Sequence, residues 1–137
     1  MSFVVDNSVA LTWCFEDERT PATAALLAQL GELGGLAPML WPLEAVNGLL
    51  VAERRGRLEA SRRRRLAGFL HALPITLDAD TASQAWTATA RLAERFGLSA
   101  YDAAYLELAQ RHQLPLASLD RDLRSAATTL GITVLGS

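Results

Sequence analysis

Lysine is absent from the 137-residue sequence, and all 13 basic residues are arginine. That excludes a Walker phosphate loop, which needs a lysine, and any Schiff-base enzyme, which needs a lysine amine. It also excludes a receiver-type phosphoacceptor domain, similar in size and expected topology, which sets a lysine beside its aspartate. A single cysteine, Cys14, rules out an internal disulfide and a thiolate metal site. The two histidines, His71 and His112, lie far apart without His-x-x-x-His spacing, so structural or exposed roles are expected. The longest uncharged stretch, Ser125 to Ser137, has 13 residues. A membrane span needs ~18, and none is expected. The opening MSFVVDNSV lacks the basic region and cleavage site of a signal peptide, which points to a cytoplasmic location. With a net charge of −2, the chain has no general basic face for coating nucleic acid.

What is abundant is apolar: half the residues are hydrophobic, including 24 alanines and 25 leucines. This excludes disorder and suits helical packing. The length predicts one domain over residues 1–137, with one core. Phe3-Val4-Val5 reads as a strand that stops at Asp6-Asn7-Ser8, a set of N-cap residues. A helix through Val9 to Phe15 follows, and Thr20-Pro21 opens another toward Leu33. Leu36 to Trp41 is a second apolar run, and Pro42 starts a helix carrying Glu44. Further helices are predicted over about 58–73, 79–97, 99–113 and 121–130. Pro74 to Leu77, Leu114 to Leu119 and Ile132 to Leu135 read as strands. The alternation predicts an α/β fold: a mostly parallel sheet of about five short strands with helices on both faces.

In such sheets ligands bind beyond the carboxyl ends of the strands. Asp6 ends the first strand, Asp120 ends the fourth, and Glu44 lies just after the second. Singly, each acid has a plain structural role: Asp6 and Asp120 as caps, Glu44 as first-turn charge, Asp102 closing a capping box with Ser99. Together they read differently. The small residues Ala103, Ala104 and Ala109 let the helix of Asp102 press on the sheet and bring that acid toward Asp6. Gathered carboxylates raise one another's pKa, and a hard divalent cation relieves the repulsion. Acids without a basic partner or thiol suggest metal-dependent phosphodiester chemistry.

Four blocks, DNSV at 6–9, WPLEAVNGL at 41–49, LSAYDAAYLELA at 98–109 and LASLDRDL at 116–123, resemble the PIN domain. More closely they are similar to the VapC ribonuclease toxins of prokaryotic toxin–antitoxin pairs, over nearly the whole chain. The resemblance implies a metal-dependent endoribonuclease with a PIN-like fold. Asp6, Glu44, Asp102 and Asp120 would be its catalytic, Mg²⁺- or Mn²⁺-binding acids, and Ser8 a supporting hydroxyl. Asp122 occupies a position that is often but not always acidic in the family, and is either a further metal ligand or a first-turn charge on the last helix. Asn47, one turn after Glu44 on the same helix face, either orients that carboxylate or merely solvates the groove. By the same resemblance, Asp6 and Asp102 chiefly hold the ion that activates water, and in-line attack leaves a 5′-phosphate and a 3′-hydroxyl. A homodimer and an antitoxin whose tail covers the acidic groove are also implied.

Seven arginines fall between Arg54 and Arg65. Arg62-Arg63-Arg64-Arg65 spans most of a helix circumference, so the four cannot share one face. Arg62 falls in line with Leu58 and Leu66, which predicts a place near the core or an interface. Arg54, Arg55, Arg63 and Arg65, with Arg62 at such an interface, are then a basic patch for RNA phosphates or an acidic partner segment. Arg121, beside Asp120, is a further candidate contact. Trp13, Trp41 and Trp86 are expected in the core or a dimer interface, and Cys14 as a small buried hydrophobe. Two rivals stand beside the nuclease: a PIN-fold binding module without catalysis, and a phosphatase on a similar sheet. The intact acid set argues against the first, and the lack of lysine against the second.

Overall fold

A computed structural model describes residues 2–137; Met1, the first residue of the expected domain, lies outside the described residues. The chain runs β1 (Phe3–Val5), α1 (Asn7–Thr12), a 3-10 turn (Glu16–Glu18), α2 (Pro21–Leu33), β2 (Gly35–Pro38), α3 (Trp41–Arg54) and α4 (Ala60–His71). It continues through β3 (Ile75–Asp78), α5 (Thr81–Gln84), a π turn (Ala85–Thr89), α6 (Ala90–Phe96), α7 (Ala100–His112), β4 (Leu116–Ala117), α8 (Arg121–Thr129) and β5 (Val134–Leu135). The five strands are parallel, in the order β3-β2-β1-β4-β5, as the alternating pattern predicts.

β1 takes the centre because Phe3, Val4 and Val5 are apolar on both sides of the strand, and all three are wholly buried. Right-handed crossovers carry the chain outward to β2 and β3, then back over β1 to β4 and β5. α1 to α4 thus cover one face, and α5 to α8 the other. The winding direction reverses between β1 and β4, and that reversal opens the crevice in which such sheets bind ligands.

Local chemistry fixes the flanks of this crevice. Thr20 caps α2 by accepting from the Thr23 N–H, while its own N–H donates to the Thr23 hydroxyl. Gly35 lets β2 approach β1: a Cβ there would lie 2.7 Å from Leu30 Cδ1 and 3.1 Å from the Phe3 carbonyl oxygen. α7 is buried continuously from Ala103 to Ala109 and lies across β1 and β2, as its small residues allow. Its one buried charge, Glu107, receives two hydrogen bonds from Arg111, at 2.8 and 3.0 Å. Arg111 also donates two to buried Asp78, at 2.6 and 3.2 Å.

Two expectations need correction for identifiable reasons. The helix expected over 79–97 forms over 81–96 but with a π turn inside it, which buries Thr89 and leaves Trp86 87% exposed on this chain, not in its core. Trp13 and Trp41 are buried as expected. The helix expected from Leu58 begins at Ala60, so Leu58 does not set its register. Arg62 is therefore exposed in the first turn of α4, beside Glu16, Asp17, Arg57 and the core residue Phe15, rather than packed within the core. Among the described residues no helix is long and apolar enough to cross a membrane.

Candidate active site

Asp6 is the first residue beyond β1, and only 5% of its surface is exposed. It stands at the N-cap of α1 but its side chain caps nothing. Its carboxylate is held instead by two serines. The Ser8 hydroxyl donates to Asp6 Oδ2 at 2.6 Å and the Ser118 hydroxyl donates to the same oxygen at 2.8 Å. Each serine in turn accepts a backbone N–H from the loop after β4: Leu119 to Ser8 at 2.9 Å, Asp120 to Ser118 at 3.0 Å. Two loops at the switch point are thereby tied together through one carboxylate oxygen. Burial pushes the Asp6 pKa above its ordinary 3.8; the two hydroxyls and the Asn7 N–H oppose this, and the charge of Asp120 adds to it.

Glu44 comes from the first turn of α3, half-buried. Its Oε1 accepts a 2.6 Å hydrogen bond from the phenol of Tyr105, which lies on α7. Asn7 donates to the Glu44 carbonyl at 3.4 Å, joining α1 to the same turn. Burial raises the Glu44 carboxyl above 4.5, the Tyr105 bond works against that, and the charges of Asp6 and Asp102 reinforce it. Burial, and then Glu44, push the Tyr105 hydroxyl far up, so it stays a donor. Asp102 sits in the first turn of α7. Its N–H donates to the Ser99 hydroxyl at 3.1 Å, one half of the expected capping box. Its carboxyl is raised above 3.8 by burial, then by Asp6 and Asp120, with Asp122 adding and Ser99 opposing. Asp120 caps α8, accepting from the Leu123 N–H at 2.9 Å.

The structure thus brings acids from four separate stretches of chain into electrostatic range: Asp6 and Asp120 both act on Asp102 and on each other, Glu44 feels Asp6 and Asp102, and exposed Asp122 reaches only Asp102 among them. Among the described residues, no arginine or histidine forms an ion pair with any of the five. The ion pairs among the described residues are made elsewhere, on Asp17, Glu18, Glu53, Asp78, Asp80 and Glu107. The donor set fits a hard divalent cation: oxygen only, buried at a cost, and not neutralised by protein. No group of three or more His, Cys, Asp or Glu among the described residues stands close enough to hold an ion as it is. Mg²⁺ asks for less, since one or two carboxylates and several waters complete its shell.

The other expected site residues are placed as follows. Ser8 is at the site. Asn47 is exposed and makes no hydrogen bond to Glu44; Tyr105 holds that carboxylate. Arg54 and Arg55 are exposed at the far end of α3, about 15 Å along the helix from Glu44 at the usual rise per residue. Arg63 pairs with Glu53, Arg65 is exposed on α4, and Arg121 is exposed at the start of α8. Sequence reasoning missed Ser118 and Tyr105. Both carry a signal: Ser118 precedes Asp120 by two, mirroring Ser8 after Asp6, and Tyr105 follows Asp102 by three, on one helix face.

Fold and site together define a doubly wound α/β domain whose crevice is a cluster of unpaired carboxylates. The chain belongs to the PIN domain family, whose model matches residues 3–128. Among solved structures it is similar to PAE2754 from Pyrobaculum aerophilum, at 22% identity and a TM-score of 0.70, covering 98% of this chain and 83% of that one. It is also similar to VapC20 of Mycobacterium tuberculosis, a sarcin–ricin loop cleaving toxin, at 20% identity and a TM-score of 0.65, covering 91% of this chain and 95% of that one. A third likeness is to VapBC2 from Rickettsia felis, solved with a promoter DNA fragment, at 12% identity and a TM-score of 0.66, covering 100% and 99%. At these identities the likeness shows the fold. No curated protein matches the sequence.

Proposed function

We propose that this PIN-domain protein is a Mg²⁺- or Mn²⁺-dependent endoribonuclease, the toxin of a toxin–antitoxin pair, cutting RNA phosphodiester bonds at the four-carboxylate site. The observation that carries the reading is that Asp6, Glu44, Asp102 and Asp120 gather at the switch point without an ion pair, while the buried acids elsewhere, Asp78 and Glu107, are paired with arginine. A binding module gains nothing from keeping them so. The similar folds of a sarcin–ricin loop cleaving toxin and of a toxin–antitoxin complex from Klebsiella pneumoniae support the same reading.

In this reading Asp6 and Asp102 hold the cation, with Glu44 and Asp120 completing the site and Asp122 at its margin. Bound there, the cation supplies Lewis-acid stabilisation of the scissile phosphate and a water of lowered pKa. The protein's own part is positional. Ser8 and Ser118 fix the Asp6 carboxylate, and Tyr105 fixes Glu44. The antitoxin covers the acidic groove with a basic side chain, the protein works in the cytoplasm as a homodimer, and exposed Trp86 is a candidate for that interface.

The test is cleavage of a labelled structured RNA by purified protein freed of antitoxin, in Mg²⁺, Mn²⁺ or EDTA. Cutting should require the metal, leave 5′-phosphates, and fall at least ~100-fold in both Asp6→Asn and Asp102→Asn. Cutting that survives EDTA or either substitution contradicts the proposal. A protein that binds the ion and RNA yet cuts none is the non-catalytic module.

A further inference from the structure

We infer that Arg124 is a positioning residue of the acid site, acting through Ser118 on Asp6. The inference rests on the reading of these acids as a cation site.

The orientation of the Asp6 carboxylate depends on where Ser118 stands, because Ser118 supplies one of its two hydroxyl donors. Ser118 lies just past β4, which is only two residues long, so a single further ladder bond holds it from the β5 side. Its N–H donates to the Leu135 carbonyl at 3.1 Å, and its carbonyl is what Arg124 holds. The Arg124 guanidinium donates to the Ser118 oxygen at 2.7 Å, to the Leu135 oxygen at 3.1 Å and to the Ser137 hydroxyl at 2.7 Å. No carboxylate pairs with Arg124 among the described residues; its donors go to carbonyls and a hydroxyl. The same Ser118 carbonyl is walled on another side by Gly136, at φ +117, where an added Cβ would come within 3.3 Å of it.

Ser118 is therefore held at its carbonyl by Arg124, while its hydroxyl carries the constraint to both acids. That hydroxyl accepts from the Asp120 N–H and donates to Asp6. A displaced Ser118 would move one acid and release the other. The Arg124 side chain touches neither carboxylate, and the contact by which it positions Asp6 is the serine.

A double-mutant cycle on Mn²⁺ affinity separates this from a merely structural role. The four members are wild type, Arg124→Ala, Ser118→Ala and the double variant, all titrated as folded protein well below Tm, with Asp6→Asn as the site control. Each single variant should weaken Mn²⁺ binding about tenfold, the usual effect of losing a partner that orients a ligand. The double should be no weaker than about the same tenfold. Arg124→Lys, which can still reach one carbonyl, should recover part of the loss. Where Arg124→Ala does not fold, Arg124→Gln, with two N–H donors on a neutral stem, takes its place. Wild-type Mn²⁺ affinity in the Arg124 variant, whatever its Tm, overturns the inference, as does a double variant whose loss is the product of the singles. Unchanged affinity in Asp6→Asn overturns the cation-site reading itself, and this inference with it.

Discussion

Asp6, Glu44 and Asp102 each hold a proton more tightly in the folded chain than in the unfolded one, first because burial disfavours their charge. For an acid with a raised pKa, stability is fully present below the unfolded value and is lost as pH rises through the folded one. The metal-free protein should thus lose stability from these three as pH climbs from about 4 toward neutrality. Removing one charge should relieve the others. Asp102→Asn, melted in EDTA, is expected to have a Tm at or above wild type at pH 7.5, with the advantage shrinking as pH falls to 5. A variant less stable than wild type at pH 7.5 would contradict the repulsion. The acids were legible in the sequence, because strand ends followed by Asp stand out and four blocks resemble a family. Ser118 and Tyr105 were not. A serine or tyrosine two or three residues from an acid has many ordinary roles, and its partner lies 112 or 61 residues away.

α7 does three jobs along its length. Its first turn delivers Asp102, its middle buries Tyr105 to Ala109, and its last turn delivers Arg111 to Asp78 at the end of β3. Burial pushes Asp78 up, but its bonds from Arg111, the Asp80 N–H and the Thr81 hydroxyl outweigh this and hold it below 3.8. The stability it contributes is present above the unfolded pKa and lost as pH falls through the lowered one. Arg111→Ala would leave Asp78 and Glu107 buried without their partner. It should cost about 3 kcal/mol at neutral pH and distinctly less near pH 4, read by urea unfolding at both values. An equal loss at both would show that the guanidinium acts by packing alone. The sequence showed α7 plainly, since its small residues and Ser99 cap mark it. It did not show the π turn, which differs from an α-helical register by one residue, and it misplaced Arg62 because Leu58 belongs to the turn before α4.

At the scale of the molecule, the strand order explains why acids so far apart in sequence meet. β1 and β4 are neighbours at the reversal of the sheet, so Asp6 and Asp120 face one crevice. Glu44 and Asp102 enter on the first turns of α3 and α7. The arginines are segregated: those of 54–65 lie at the far end of α3, in the turn after it and on α4, and none pairs with the site. The alternation of strands and helices was readable in the sequence, and with it the end of the sheet at which ligands bind. Strand order was not, because two-residue strands such as β4 and β5 carry no pairing signal of their own. The central claim is that this acidic crevice is the cation site. An anomalous difference map from crystals grown with Mn²⁺ tests it most directly. The account predicts a peak between Asp6 and Asp102, within reach of Glu44 or Asp120, and its loss in Asp6→Asn. A Mn²⁺ peak only on the exposed Glu16–Glu18 turn, or one at the crevice that survives the substitution, would contradict it.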